Sequence, residues 1–395
     1  MTAREAVAAD TSEQARRRWF AAVDIDVWRR ATIFVVVTRL AFFAAAYGTT
    51  QLLTAAQGGS SPEGFLDIWS RWDAQHFLVA AEHGWSGPEA LSARTAAFFP
   101  LYPLAIRALS ALGANPIAAG LIISAVATIV ATAYLARLAE RDIGPGSGTH
   151  AALYLLLFPT AVFLVAPYSE ALFLAGAIPA FYYAREGRWR AAALPATVAV
   201  ATRAAGIFLL VALGVELATQ LWRRREGLRR ALEGVIALAV ASLPLLLFGL
   251  HLRAVRGSFW QYRIDQEVGW GRQTVDPVQS FLATWNTRVG NYDSNWIFAW
   301  RIEIIAALAG VLFTIWALAR REWAYATYMG LFMTALMTSA WYFSIPRMLL
   351  TFFPIMLFVA SATRERPERY QLIVLALAPI AAMGVIVYTR GAWFF

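Results

Sequence analysis

Arg71, Trp72 and Asp73 stand together in "IWSRWDAQHF", a polar stretch that follows the first long hydrophobic run. His76 comes three residues after Asp73, a spacing that places both on one face of a helix. A carboxylate set among aromatic rings at the edge of apolar sequence has the character of a general base toward a hydroxyl. Asp67, in the same stretch, is its competitor. Asp73 could equally cap a helix or pair with Arg71, and His76 could be structural. Glu170, two residues after Tyr168 in "PYSE", opens an apolar run after a proline, where the helix dipole favours an acid. Arg203 in "ATRAAG" and Arg347 in "SIPR" interrupt apolar sequence. An arginine in such a place is costly unless it lines a polar cavity or pairs with an acid. Either could pair with Glu170, and either could instead hold a phosphate, which the guanidinium fork suits.

The stretch 256–279, "RGSFWQYRIDQEVGWGRQTVDPVQ", mixes aromatic, charged and glycine residues. Trp260, Tyr262 and Trp270 could stack on a sugar or cover an isoprenoid chain, with Arg272 beside them; tryptophan is also simply enriched at membrane interfaces. No histidine pair has i,i+4 spacing and the loops hold no acidic cluster of the DxD kind, so neither an obligatory metal nor a cofactor is expected.

Positioning such residues falls to an unusually apolar chain. Of 395 residues, 59% are hydrophobic and 15% charged, against about 25% charged in soluble domains. Most of the surface must therefore face lipid, as in a single polytopic unit. Cysteine is absent, which excludes disulfides and thiolate chemistry. All 34 basic residues are arginine, a composition that points to a GC-rich genome. The net charge of +9 favours contact with anionic membrane lipids, and no motif indicates nucleic acid.

Apolar stretches of about 20 residues mark spans, and arginine-rich short loops mark the cytoplasmic side. Spans are expected near 31–50, 115–138, 149–166, 169–185, 190–205, 206–222, 231–252, 297–319, 323–343, 346–362 and 370–389. The fold expected is thus all-α and polytopic, with about 11 transmembrane helices. The acids and bases at 4–30 do not form a cleavable signal; residues 13–30 are expected as an amphipathic cytoplasmic helix ahead of one membrane domain over 31–395. The stretch 97–114 is short and carries Pro100, Pro103 and Arg107, so it reads as interfacial or re-entrant within a first extracytoplasmic loop, 51–114. A second large loop covers 253–296. This topology brings Asp73, "PYSE", Arg203, the second loop and "SIPR" to one extracytoplasmic face.

Several stretches resemble the PIG-V-like mannosyltransferases, membrane glycosyltransferases of the GT-C class: "SRWDAQHFLVAAEHGW", "AFFPLYPLAIRALS", "PYSEALFLAGAIPAFYYAREGRWRAA", "ATRAAG", "RGSFWQYRIDQEVGWGRQ" and "PRMLLTFFPIMLFVA", in that order. The resemblance implies the GT-C fold and inverting transfer of mannose from a polyprenyl-phosphate donor outside the cell membrane. It implies that Asp73 is the catalytic base, because it matches the acidic residue of the family's first loop. Arg71, Trp72, His76, Tyr168, Glu170, Arg203, Trp270, Arg272 and Arg347 then fall to substrate binding. The short loops and all-arginine composition point to a bacterial, actinobacterial member, whose acceptor would be a glycolipid, lipoglycan, polysaccharide or protein rather than a GPI precursor. The rival class is a transporter or flippase of a lipid-linked sugar; it should show internal repeats and polar residues at the bilayer midplane, and neither is visible.

Overall fold

The computed structural model describes residues 25–56, 63–224, 227–286 and 297–394. Among these the chain is all-helical. Helix α1 (Ile25–Ala56) is followed by five short elements that build the first loop: a 3₁₀ turn (Asp67–Trp69), α2 (Asp73–His83), α3 (Pro88–Ser92), a second 3₁₀ turn (Thr95–Ala97) and α4 (Leu101–Ala111). Then come α5 (Pro116–Asp142), α6 (Ser147–Leu156), α7 (Val162–Val165), α8 (Glu170–Arg185), α9 (Trp189–Thr202), α10 (Gly206–Arg224) and α11 (Leu228–Arg256). The second loop contains α12 (Gln261–Trp270) and α13 (Pro277–Trp285). The chain closes with α14 (Ile297–Ala319), α15 (Trp323–Met337), α16 (Ile345–Leu349), α17 (Pro354–Thr363) and α18 (Pro367–Thr389).

Among the described residues six helices, α1, α5, α10, α11, α14 and α18, are long and apolar enough to cross a membrane. The other five expected spans are shorter or broken. The stretch 149–166 divides into α6 and α7, and 346–362 divides into α16 and α17. Pro159 stands in the first break, and Pro354 opens α17 after the second, at a helix start where its missing N–H costs nothing. Helices α8, α9 and α15 have 16, 14 and 15 residues. Helix α4, with 11 residues, is about 16 Å long. That is about half a bilayer core, in keeping with an interfacial element. Arg107, the charge that strained a spanning reading, donates to the Ala81 and Glu82 carbonyls at the end of α2. Residues 1–24 lie outside the described chain; residues 25–30 of the expected amphipathic helix are the first turns of α1, where Arg29 and Arg30 pair with Asp26. The second loop begins later than expected, since Arg253 and Arg256 sit in the last turn of α11.

The centre of the bundle is the α8–α9 hairpin, which packs against α5 and α11. Gly176 of α8 allows the close approach: a Cβ there would lie 2.6 Å from both the Ala199 nitrogen and the Pro195 oxygen of α9. The hairpin sets Glu170 and Arg203 side by side at one end and Arg185 at the other, where it pairs with Asp142 at 2.6 Å and with Glu322. α1 flanks the first loop: Phe43 packs edge-on against Phe65 and Trp69, with ring centroids 5.2 and 5.3 Å apart.

The break at 157–169 exposes carbonyls that no helix satisfies, and buried side chains take them up. Arg39 of α1 donates to Leu164 O at 2.6 Å and Thr128 shares that acceptor at 3.0 Å. Ser124 donates to Ala166 O at 3.0 Å. Replacing Arg39 with Met should lower stability by about 2 kcal/mol, the worth of a charged hydrogen bond, as read from unfolding in detergent micelles.

Candidate active site

Glu170 is fully buried, and its Oε1 accepts from two guanidinium groups: Arg203 Nη1 at 2.7 Å and Arg347 Nε at 2.5 Å. Arg347 turns its Nη1 to Asp73 Oδ2 at 2.6 Å. The result is a chain, Arg203–Glu170–Arg347–Asp73, that joins four segments separated by up to 274 residues. Side-chain exposure is 0% at Glu170, 8% at Arg347 and 23% at Asp73. Asp73 is therefore the carboxylate of this chain that meets open space.

That space is a cavity of about 810 Å³, lined by Trp72, Asp73, His76, Tyr168, Arg203, Trp270, Arg272 and Arg347. These are eight of the ten residues expected to bind substrate or carry the chemistry. Aromatic rings from distant segments complete its wall, among them Phe98, Tyr262, Trp341, Phe343 and Trp393. The other two expected residues stand apart. Glu170 lies behind the arginines. Arg71 turns away, pairing with Glu63 and donating to Thr389 O at 3.2 Å. Asp67, the competitor to Asp73, is exposed and does not line the cavity.

Each lining group is held by identifiable contacts. Asp73 is the first residue of α2, and Trp72 before it adopts φ 51°, a left-handed conformation rare for a large side chain. Tyr388 donates to Trp69 O at 3.0 Å and Tyr168 to Arg71 O at 3.1 Å, which fixes the backbone leading into that turn. The same Tyr168 ring receives the Arg347 guanidinium 4.5 Å from its centroid, and Phe163 receives it at 4.8 Å. His76 directs Nδ1 to Ala93 O at 2.8 Å. The carbonyl can only accept, so Nδ1 carries the hydrogen. The imidazole stacks on Phe98 with ring centroids 5.1 Å apart and meets the edge of Trp270 at 5.3 Å.

Arg272 differs from the other two arginines. Its side chain makes no ion pair or hydrogen bond among the described residues, although it lines the cavity. It follows Gly271, which is left-handed at φ 62° and packs on Trp341 so tightly that a Cβ would lie 2.3 Å from that ring. The segment is tied down by Val275 N–H donating to Thr338 O at 2.8 Å. Burial pulls the Arg272 guanidinium down from its ordinary value, the sign of a cation without a full set of partners. At Asp73 burial pushes upward, but Arg347, helped by His76 and Arg203, outweighs it and holds the carboxyl below its ordinary range. Oδ2 is engaged by Arg347, while Oδ1 accepts no hydrogen bond among the described residues.

Sequence reasoning did not single out Glu303, Tyr388 or Trp393. Glu303 had a usable signal, since it is an acid inside an apolar span, the argument applied to Arg203. The two aromatics had none, because their role comes from tertiary packing alone. Among the described residues no three His, Asp or Glu side chains come together in a group that could hold a metal ion.

Residues 44–281 match the family profile described as "Mannosyltransferase (PIG-V)". The chain is 30% identical over 280 residues to GPI alpha-1,6-mannosyltransferase 2 of Homo sapiens, covering 66% of this chain and 54% of that protein. It is 34% identical over 269 residues to the Rattus norvegicus protein of that name, covering 64% and 52%. The chain spans about half the length of the curated relatives it matches. Asp73, Glu170, Arg203 and Arg272 fall within the matched region; Arg347 lies beyond it.

Replacing Glu170 with Gln leaves two buried guanidiniums facing each other without their shared anion, and should cost about 3 kcal/mol or more in detergent unfolding. Asp73→Asn should cost less and show a specific pH dependence. A carboxyl whose folded pKa is depressed contributes stability that is complete above the ordinary value of 3.8 and is lost as pH falls through the folded value. The stability difference between wild type and Asp73→Asn should be flat from about pH 5 to about pH 8 and shrink in stronger acid.

Proposed function

The chain belongs to the PIG-V mannosyltransferase family, and from that premise we propose an inverting mannosyltransferase that uses a polyprenyl-phosphate-linked donor and a glycolipid, lipoglycan or polysaccharide acceptor on the extracytoplasmic side. The observation that carries the proposal is the pairing pattern in the cavity. Among the described residues Asp73 presents a carboxylate oxygen that accepts no hydrogen bond, and Arg272 presents a cation whose side chain makes no ion pair or hydrogen bond.

In this reaction an acceptor hydroxyl attacks the anomeric carbon from the face opposite the phosphate. Its proton passes to Asp73 Oδ1 as the new C–O bond forms. The bond between the anomeric carbon and the phosphate oxygen breaks, and its electron pair leaves with the polyprenyl phosphate. Arg272 takes the donor phosphate, because Arg203 and Arg347 are engaged with Glu170 and Asp73. A cation in a poorly hydrated site stabilises charge that develops on the leaving group. Arg347 keeps Asp73 ionised and oriented, so the base is ready across the physiological range. His76 and Trp270 form a wall beside Asp73 suited to a sugar ring. The cavity also reaches Ile207 of α10 and Ala335 of α15, both exposed, which supports a lateral route for an isoprenoid tail.

Incubation with labelled polyprenyl-phosphate mannose and an acceptor-containing membrane extract should give labelled product. Transfer of label across the bilayer with no product would replace this reading with a flippase. Asp73→Asn should retain donor binding and lose at least about 100-fold in rate, the usual contribution of a general base. Arg272→Gln should lower kcat, because the charge it answers grows in the transition state, and should raise the donor KM as well.

A further inference from the structure

Glu303 sits in α14, a helix of membrane-crossing length, and is 0% exposed. A carboxylate buried there is expensive unless its oxygens are satisfied. Both are, and by backbone rather than by an arginine. Oε1 accepts from Ser344 N–H at 2.8 Å and Oε2 from Ile345 N–H at 2.7 Å. Ser344 adopts φ 62°, an uncommon conformation for serine, and the two hydrogen bonds to the Glu303 carboxyl hold the turn there. The turn leads into α16, whose third residue is Arg347. Its neighbours are fastened as well. Tyr342 N–H donates to Thr284 Oγ1 at 2.8 Å, and Thr160 donates to Pro346 O at 3.1 Å. Of these contacts, the two from Glu303 are the ones made by a single carboxyl group to consecutive amides of the turn.

We infer that Glu303 is a positioning residue, which acts through the Ser344 and Ile345 amides to hold the Arg347 guanidinium on Asp73. The inference deepens the proposed transfer and rests on Asp73 as its base. The charged and titratable groups around Asp73 are Arg347 from α16, His76 from α2, Arg203 at the end of α9, Arg272 after α12, and the Tyr168 and Tyr388 hydroxyls. Glu170 lies beyond Arg347, and Arg272 is the cation facing Glu303. Glu303→Gln keeps the shape but has one acceptor oxygen, so one of the two amides meets an NH₂ group instead. The turn then relaxes, Arg347 loosens, and burial of the Asp73 carboxyl goes less opposed.

The test reads Asp73 directly. The full chain in detergent is treated with dicyclohexylcarbodiimide, which reacts with protonated carboxyls, across a pH series. Modification of the Asp73 peptide is then quantified by mass spectrometry. In Glu303→Gln the midpoint should rise by about one pH unit, within the span an adjacent cation imposes on an aspartate. At neutral pH kcat should fall about tenfold with the donor KM within about twofold, since the group affected acts in the transition state. Glu303→Asp, which keeps the charge at shorter reach, should give an intermediate midpoint and carries the test alone if Glu303→Gln does not fold. An unmoved midpoint in a folded variant overturns the inference, because a purely structural role lowers the folded fraction without touching the Asp73 titration. If Asp73→Asn transfers sugar at the wild-type rate while the midpoint still moves, the base assignment fails and the positioning link stands.

Discussion

One oxygen atom, Oε1 of Glu170, accepts from both Arg203 and Arg347, and the geometry of the site follows from that sharing. Two guanidinium groups in a buried setting repel and are costly to desolvate. A carboxylate between them offsets that cost and ties the end of α9 to α16. Arg347 keeps one nitrogen for Asp73. The order of the chain matters: the acid at its buried end organises the arginines, and the acid at its open end faces the cavity. Equal exposure of the two carboxylates would leave no way to assign these roles.

The scaffold gives the same priority to satisfying polar groups at depth. The break between α6 and α8 and the break between α15 and α17 are irregular backbone in an apolar bundle. Each is closed by side chains from other helices: Arg39, Ser124 and Thr128 at the first, Glu303 and Thr284 at the second. These breaks also deliver Tyr168, Glu170 and Arg347. Irregular backbone inside a membrane bundle is tolerated where it lines a cavity, and here it builds one.

Much of this was legible in the sequence, for a physical reason. Ionisable residues in apolar stretches are expensive, so Arg203 and Arg347 stood out; Asp73 stood out as a carboxylate among aromatics in a polar stretch, Glu170 as the acid opening an apolar run, and alternating spans brought all four to one end. The cost argument could not say whether an arginine answers to a protein acid or to a ligand. Arg203 and Arg347 answer to acids, while the Arg272 side chain, in a polar loop where charge is unremarkable, makes no ion pair or hydrogen bond among the described residues and is the arginine proposed to meet a ligand. Hydropathy equally could not separate helices that face lipid from helices buried in protein. Hence the eleven expected spans became six helices of crossing length and five shorter or divided ones. Glu303 and Arg39 obeyed the rule that found Arg203, and were passed over because each lies well inside a convincing span.

The length of α1 carries a different kind of consequence. Its 32 residues extend about 48 Å, against a hydrocarbon thickness of about 30 Å. A helix that long must tilt or project, and bilayers of different thickness are known to change such tilts. Phe43 on this helix is the packing partner of Trp69, four residues before Asp73. Through that contact any change in the tilt of α1 would bear on the turn that precedes Asp73, so the bilayer counts as part of that turn's support.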